Sequence, residues 1–305
     1  MQNNFIEVLH MKIGGKDVKL GISFTKYQPE DAKKFIDAGF ECFEIGIPRR
    51  MPDPNPLAKS PAERRRNPYT YEEARLLALR GEEEKLIAMV EPLAKAVIKE
   101  GNYLWSVHLP FGGGWDAAHI DERDRADAVC GFKRVIDLTS EWHPSVYVLH
   151  GCLEPVSDDE REARMLQCIK SVKELNEYAA KYGARIALED LPRSCLGNCT
   201  AEMARIVKET GVKICFDVNH LLGDTHENFL NFLENEIITT HLSDYDGEDE
   251  RHWLPGKGIV PWKLLFERLE SVGYDGAYLF ELNAVEGVPY KPDEIIAAFR
   301  AVVEG

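Results

Sequence analysis

Long hydrophobic runs are missing from this sequence of 305 residues. No stretch approaches the roughly 18 consecutive apolar residues that a membrane-spanning helix needs, so we expect no membrane segment. The first ten residues contain no basic segment followed by an apolar core, so we also expect no secretory signal peptide. These two absences together predict a cytoplasmic protein.

Positive charge is scarce relative to negative charge, with 37 Lys and Arg against 52 Asp and Glu and a net charge of −15. Nucleic-acid binders draw much of their affinity from cationic contacts to phosphate, so this balance disfavours a nucleic-acid partner. The hydrophobic content of 44% and the charged content of 29% exclude a disordered chain and allow a large core.

Paired cysteines and phosphate-loop signals are also missing. The seven cysteines are odd in number and scattered, which indicates reduced thiols rather than a disulfide framework. Cys195 and Cys199 have no second pair with which to build a structural zinc site. The glycines at 112–114 are not followed by Gly-Lys-Ser/Thr, which excludes a phosphate-binding loop of that type.

What the sequence does contain is a regular alternation of short apolar runs and longer amphipathic segments. Such alternation predicts a parallel sheet, and eight repeats predict a closed (β/α)₈ TIM barrel that forms a single domain over 1–305. The predicted strands are 18–23, 40–47, 104–110, 145–150, 184–190, 212–217, 236–242 and 277–282. The predicted helices are 29–38, 71–100, 119–142, 158–182, 200–210, 226–234, 261–272 and 291–304. Helix-ending glycines follow four of them, at Gly39, Gly183, Gly211 and Gly273.

Two segments exceed a minimal barrel. Residues 1–17 form an N-terminal extension, for which we predict a hairpin around Gly14-Gly15, and residues 48–70 form a Pro- and Arg-rich insertion after strand 2. Long barrel loops often lie near a ligand or a subunit contact, so a homo-oligomer is compatible with this insertion. Its arginines have the charge to bind a phosphate, but solvated charge or a subunit contact is the favoured interpretation.

Polar side chains stand at the carboxyl end of seven predicted strands, where barrels build their active sites. The first three of these strands carry Glu44, His108 and His150. The last four carry Glu189, Asp217, His241 and Glu281. Three carboxylates buried at one mouth repel one another strongly unless a cation is present. Three carboxylates and one imidazole suit Mn²⁺, Mg²⁺, Co²⁺ or Zn²⁺, so the pattern predicts a metal site that leaves positions open for substrate oxygens.

From Leu20 to about Val303 the chain resembles the xylose isomerase-like barrels, specifically the sugar phosphate isomerase/epimerase group. The most specific stretch runs from His241 to Trp262 and combines a strand-end histidine, a following aspartate, a second histidine and a Pro-Gly-x-Gly turn. The residues that carry these features are His241, Asp244, His252 and Pro255 to Gly258. A second matching motif is Asp217-Val-Asn-His220 after strand 6.

The resemblance implies that one divalent metal is bound by Glu189, Asp217, His241 and Glu281. It also implies that the two glutamates form an acid/base pair on opposite sides of the substrate. The substrate contacts implied by the resemblance are His108, His150 and His220, with Arg251 or His252 as the basic residue of the strand 7 loop. We add Glu44 from its strand position and Trp115, which either stacks on a sugar face or packs within its loop.

This set predicts proton-transfer chemistry on a small carbohydrate. A cation beside a carbonyl and its neighbouring hydroxyl acidifies the C–H between them, and one glutamate then takes the proton to give an enediolate. Return of the proton to the opposite face is epimerisation, and return to the neighbouring carbon is isomerisation. Loss of a β-hydroxyl from the same intermediate makes a dehydratase or lyase the alternative.

Two hypotheses from other classes stay open. An endonuclease-four-like apurinic-site phosphodiesterase would use the same barrel with extra metal ligands at positions such as His108, His150, His220, Glu250 and His252. The negative net charge argues against it, as does Glu250, where that group has an Asp-x-His pair. A non-catalytic sugar-binding protein or enzyme subunit is the third hypothesis, which the intact pair of glutamates disfavours.

Overall fold

The computed structural model describes residues 12–48 and 83–304, except Gly14 and Gly113. Eight parallel strands close into one barrel in chain order, with the last strand paired to the first. The strands are β1 (Lys19–Ser23), β2 (Cys42–Gly46), β3 (Tyr103–His108), β4 (Val146–His150), β5 (Arg185–Glu189), β6 (Lys213–Asp217), β7 (Ile237–Leu242) and β8 (Ala277–Phe280). The predicted TIM barrel is therefore confirmed.

Helices of the described residues lie between these strands. They are α1 (Ala32–Asp37), α2 (Glu83–Lys99), α3 (Glu122–Thr139), α4 (Arg161–Ala179), α5 (Thr200–Thr210), α6 (His226–Leu233), α7 (Trp262–Ser271) and α8 (Pro292–Glu304). The predicted first helix begins as a 3₁₀ turn over Pro29–Asp31, and the first part of the predicted second helix, 71–82, lies outside the described residues. Gly183 and Gly211 end their helical segments at φ values of 74° and 68°, as predicted for helix-ending glycines.

The strands are apolar along their whole length because both of their faces are buried. In β4, Tyr147 and Leu149 pack in the large core that includes the helices, while Val146 and Val148 belong to a smaller cluster that fills the barrel interior. The interior cluster gives way to polar side chains at the carboxyl ends of the strands. Because the carboxyl ends of all eight parallel strands meet at one end of the barrel, these polar side chains lie together at that mouth.

Irregular register at two places changes which side chains face inward. The pairing of β2 with β3 skips Trp105, so that Glu44 lies opposite Ser106, and the pairing of β6 with β7 skips Ile238. A skipped residue of this kind is a β-bulge, which re-aims the side chains that follow it. The strand pattern read from the sequence did not indicate either bulge.

The segment before β1 forms the predicted hairpin, with Lys12–Ile13 paired antiparallel to Lys16–Asp17. Residues 1–11 and the predicted insertion, apart from residue 48, lie outside the described residues. All seven cysteines are free thiols, as the sequence predicted. Among the described helices, none combines the length and the apolar character that a membrane crossing requires.

Candidate active site

Glu189 is the centre of the polar cluster at the barrel mouth. It ends β5, and its side chain is 1% exposed. Its Oε2 lies 3.1 Å from Nε2 of His108 and 2.9 Å from Nε2 of His150, and its Oε1 lies 3.0 Å from Nδ1 of His241. Because an ionised carboxylate only accepts hydrogen bonds, three imidazoles hold this side chain in one orientation.

The other predicted metal ligands meet at the same point. Nδ1 of His241 lies 3.1 Å from Oε2 of Glu281 and 4.0 Å from Oδ2 of Asp217. One ligand atom from each of these residues and from Glu189 lies within 4.8 Å of the others, and Oδ2 of Asp217 is buried without a hydrogen-bond partner. A carboxylate oxygen left unpaired among further acceptors is unfavourable unless a cation joins them, so these residues fit a divalent metal.

Charge rather than burial decides the protonation of the two glutamates. Burial alone would raise the pKa of Glu189, but the charges of His150 and His241 and the hydrogen bonds from His108 and His150 outweigh it and hold this pKa well below its usual value. The pKa of Glu281 is likewise lowered against burial, mainly by the charge of His241. Both groups are therefore carboxylates at neutral pH, as metal ligands and general bases must be.

His108 and His150 contact the same oxygen of Glu189 but differ in protonation. Burial would lower the pKa of His108, yet its hydrogen bond to Glu189 and the nearby negative charges raise it to about 9. For His150 the effect of burial prevails, and its pKa is lowered despite the attraction of Glu189. The pair therefore offers one protonated and one neutral imidazole at neutral pH.

His220 and His252 form a second group around Asp217. Nδ1 of His220 is 2.8 Å from the carbonyl oxygen of Asp190, so it donates there, and Nε2 lies 3.1 Å from Oε2 of Glu250 and 3.4 Å from Oδ2 of Asp217. The ring centroids of His220 and His252 are 5.9 Å apart. The expected substrate contacts at both positions thus lie beside the predicted metal ligands.

Two further groups in the described residues bring three ligand atoms within 4.8 Å of one another. They are His108 with His150 and Glu189, and Asp217 with His220 and His252. Both groups share a residue with the four-ligand set. The mouth therefore contains one continuous cluster of side chains of the types that bind metal ions.

The loop after β7 is folded around one buried carboxylate, that of Asp244. This carboxylate accepts hydrogen bonds from the backbone N–H groups of Tyr245, Gly256 and Val260 and from Nε1 of Trp262. Gly258 packs so closely here that an added Cβ would clash with the carbonyl oxygen of Tyr245. The aspartate and the Pro-Gly-x-Gly turn of the sequence motif therefore shape the loop that carries Glu250 and His252 to the cluster.

Three of the residues expected to contact the substrate have partners within the protein. Glu44 is completely buried and faces Nε2 of His241, on the side away from the other carboxylates. Trp115 packs in the core with its ring centroid 5.2 Å from that of Phe132, which favours the packing interpretation. The guanidinium of Arg251 is held by Asp246, with Nε 2.7 Å from Oδ2, so His252 is the basic residue of this loop that joins the cluster.

The structure also adds residues that the sequence reading missed. Phe111 stacks on His150 with ring centroids 4.4 Å apart and is 41% exposed. Lys26, after β1, donates to the carbonyl oxygen of Leu282 at 2.9 Å, next to Glu281. The position of Phe111, three residues after the strand-end His108, could have indicated that it lies near the site. Lys26 contacts a residue 256 positions away in the sequence, so no local pattern indicated that contact.

Arg193 is the most connected of the missed residues. It follows β5 and forms ion pairs with carboxylates from the loops after β4 and β7. Its partners are Glu154, Asp249 and Glu250, at 2.9, 2.9 and 3.0 Å. Since Glu250 also contacts His220, Arg193 links the rim of the mouth to the cluster below it.

Comparison with known proteins agrees with this architecture. Residues 32–302 match the profile of the family described as "Xylose isomerase-like TIM barrel", which confirms the family resemblance. An uncharacterised protein of Methanocaldococcus jannaschii is 29% identical over 209 residues, which cover 65% of this chain and 70% of that protein. An inosose dehydratase of Geobacillus thermodenitrificans is 24% identical over 206 residues, which cover 57% of this chain and 69% of that protein.

Solved structures with the same fold cover almost the whole chain. A D-tagatose 3-epimerase-like protein superposes with a TM-score of 0.67 at 22% identity and covers 94% of this chain and 97% of its own. The IOLI protein, solved with a bound zinc atom, superposes with a TM-score of 0.64 at 15% identity and covers 93% of this chain and 96% of its own. At these identities the likeness shows the fold alone.

Proposed function

This chain belongs to the xylose isomerase-like TIM barrel family, and we propose that it is a divalent-metal-dependent isomerase or epimerase of a sugar or sugar derivative. The observation that carries the proposal is the meeting of Glu189, Asp217 and Glu281 around Nδ1 of His241 at the open end of the barrel. The D-tagatose 3-epimerase-like protein and the inosose dehydratase among the similar proteins support a carbohydrate substrate.

The four residues named above would hold the metal, because they supply three carboxylates and one imidazole whose ligand atoms already lie together. Mn²⁺, Co²⁺, Mg²⁺ and Zn²⁺ all accept such a donor set, and the zinc atom of the IOLI protein supports a divalent ion. When bound, the ion supplies Lewis-acid polarisation of a substrate carbonyl.

The two glutamates carry the proton transfer. One of them takes a proton from the carbon beside the substrate carbonyl and can return it to the neighbouring carbon, which is isomerisation. For epimerisation the other must first take up a proton from solvent, which it then gives to the opposite face of the carbon. Their lowered pKa values keep both as carboxylates before the reaction. Positioned acid/base groups of this kind contribute about 10²- to 10⁴-fold in rate.

The surrounding side chains orient the reacting groups and restrict water. The pKa of His108 is raised to about 9, so its ring stays protonated and donates a hydrogen bond to Glu189. His220 is fixed by its bond to the Asp190 carbonyl oxygen and presents Nε2 toward the cluster, where substrate hydroxyls would bind. Phe111 covers His150 at the rim and thereby limits the access of water to Glu189.

The fate of the enediolate determines the product. Epimerisation and isomerisation differ only in where the proton returns, and elimination of a β-hydroxyl gives dehydration. The inosose dehydratase among the relatives supports a dehydratase or lyase acting on a polyol or keto-sugar as the alternative at the same site. A cytoplasmic location and a homo-oligomer stay predictions of the sequence.

The test is exchange of substrate carbon-bound hydrogen with solvent. The protein is stripped with a chelator, resupplied with Mn²⁺, Co²⁺, Mg²⁺ or Zn²⁺, and incubated in D₂O with a panel of ketoses, their phosphates and inososes. We expect deuterium next to the carbonyl of at least one compound by NMR, only with metal present. Binding without exchange would indicate the non-catalytic alternative, and the absence of both would overturn the proposal.

The apurinic-site phosphodiesterase is the second candidate, and the observation that favours it is the presence of the two further ligand groups. Against it stand the pairing of Glu250 with Arg193 and the net charge of −15. A duplex with a single abasic site, incubated with the zinc-loaded protein, distinguishes the two functions. We expect no strand cleavage and a stoichiometry of one metal per chain.

A further inference from the structure

Glu44 lies in β2 inside the barrel, completely buried. Its Oε2 accepts a hydrogen bond from Oγ of Ser106 at 2.7 Å, which the bulge at Trp105 brings opposite Glu44. Oε1 and Oε2 lie 3.2 and 3.3 Å from Nε2 of His241. Burying a carboxylate costs free energy unless hydrogen-bond partners offset the loss of water, so the partners of Glu44 explain why it is tolerated here.

His241 presents its two nitrogens in different directions. Nδ1 lies 3.0 Å from Oε1 of Glu189 and 3.1 Å from Oε2 of Glu281, while Nε2 faces Glu44. Without an ion both nitrogens face carboxylates, but Glu189 and Glu281 are proposed ligands of that ion and Glu44 is not. A bound cation would take the place of the hydrogen on Nδ1, whereas Nε2 would keep its hydrogen for the carboxylate of Glu44. The lone pair available to a cation is then the one on Nδ1, among the other three ligands.

We propose that Glu44 is a positioning residue that fixes the tautomer and ring orientation of His241, so that Nδ1 is presented to the divalent metal. The inference rests on the proposed function, since it presupposes a metal held by these ligands. Glu44 itself touches neither metal nor substrate in this role. Ser106 supports it from behind by fixing the carboxylate.

Another neighbour of His241 is the thiol of Cys215, which is also buried. A thiol is a weak hydrogen-bond partner and, when neutral, does not attract an N–H as a carboxylate does. Glu44 is therefore the stronger of these two partners for the imidazole.

Metal affinity tests this role without any knowledge of the substrate. Wild type, Glu44→Gln, Ser106→Ala and the control Asp116→Asn are compared by competition against a chromophoric chelator and by the visible absorption of bound Co²⁺. Asp116 is a matched control because it is buried and paired with Arg164, outside the ligand set. Circular dichroism checks that each variant is folded.

We expect Glu44→Gln to bind Co²⁺ about 10- to 100-fold more weakly, with an altered absorption band. Ser106→Ala should show a smaller loss in the same direction, and Asp116→Asn the affinity and spectrum of wild type. If Glu44→Gln shows the affinity and the spectrum of wild type, the inference about Glu44 is overturned and the proposed function is not affected. No binding of any divalent metal by wild type would overturn the proposed function with it. If Glu44→Gln does not fold, Ser106→Ala decides, and wild-type behaviour there overturns the inference.

Discussion

The two sides of the barrel mouth treat their glutamates differently. On the β3–β5 side, the Glu189 side chain is 1% exposed and lies among three imidazoles, with Phe111 stacked on His150 above it. On the β7–β8 side, the Glu281 side chain is 24% exposed, and its Oε2 lies 3.1 Å from Nδ1 of His241. The carboxylate of Glu189 is therefore buried and held by several partners, whereas that of Glu281 is partly exposed to solvent.

This difference explains how two residues with one predicted role contribute differently. Burial among donors orients Glu189 before the substrate arrives, and such preorganisation is what makes a catalytic group effective. Exposure leaves Glu281 accessible to the substrate and also to water, which can replace it in part. Under the proposed function, we expect the substrate to enter past Glu281 and to meet Glu189 deeper in the site.

The largest effect is expected from Glu189→Gln. The change removes a general base and leaves the imidazoles without their carboxylate, so turnover should fall by at least about 10²- to 10⁴-fold. Steady-state kinetics measure the loss, and circular dichroism checks the fold. Glu162→Gln on the exposed face of α4 is the control and should keep wild-type turnover. Near-normal turnover in Glu189→Gln would refute its assignment as a base.

Glu281→Gln should lose less turnover than Glu189→Gln, because water can reach the position of the Glu281 side chain. Glu189 still takes a proton from its own face in this variant, so solvent exchange should continue from one epimer while conversion to the other becomes slower. NMR in D₂O, started from each epimer separately, reports both rates. Equal loss of exchange from both epimers would remove the distinction between the two sides.

Phe111→Ala tests the cover of the β3–β5 side. The ring is 41% exposed at the rim, where we propose that a bound substrate packs against it. An aromatic contact is worth about 0.5–1.5 kcal/mol, so we expect KM to rise by about 2- to 10-fold when the ring is removed. Trp115→Phe is the control, because Trp115 packs in the core and should affect thermal stability rather than KM. A larger change in KM from Trp115→Phe than from Phe111→Ala would restore the substrate contact expected from the sequence.

The smallest effect is expected from Arg251→Ala on the β7–β8 side. Its side chain is 37% exposed and pairs with Asp246, and exposed ion pairs contribute about 0.2–1 kcal/mol. KM should therefore change by no more than about 5-fold. His252→Ala, measured in the same assay, should have the larger effect, since His252 joins the ligand cluster. The reverse order would make Arg251 the substrate contact of this loop.

The barrel and the four-residue cluster could be predicted because they depend on local patterns. Apolar runs mark the strands, and the polar residue at or beside the carboxyl end of each strand lies at the mouth where a parallel barrel builds its site. The position of Glu44 could not be predicted in the same way, because strand alternation places it inside without showing that it lies behind His241. Its hydrogen bond with Ser106 depends on a β-bulge that no sequence pattern indicates.

Contacts between distant loops escaped prediction for a related reason. The three carboxylates around Arg193 come from two other loops, and nothing near Arg193 in the sequence indicates them. Trp115 follows a glycine-rich run that suggested an open rim, yet it packs against α3, where a Cβ added to Gly131 would clash with its ring. Such outcomes depend on packing between elements and not on the pattern within one element.

The most direct test of the account is anomalous diffraction from crystals soaked in Mn²⁺, recorded on both sides of the manganese absorption edge. The account predicts a single strong peak bounded by the carboxylates of Glu189, Asp217 and Glu281 and by Nδ1 of His241. A peak among His108 and His150 instead, or no peak within reach of these four residues, would contradict it.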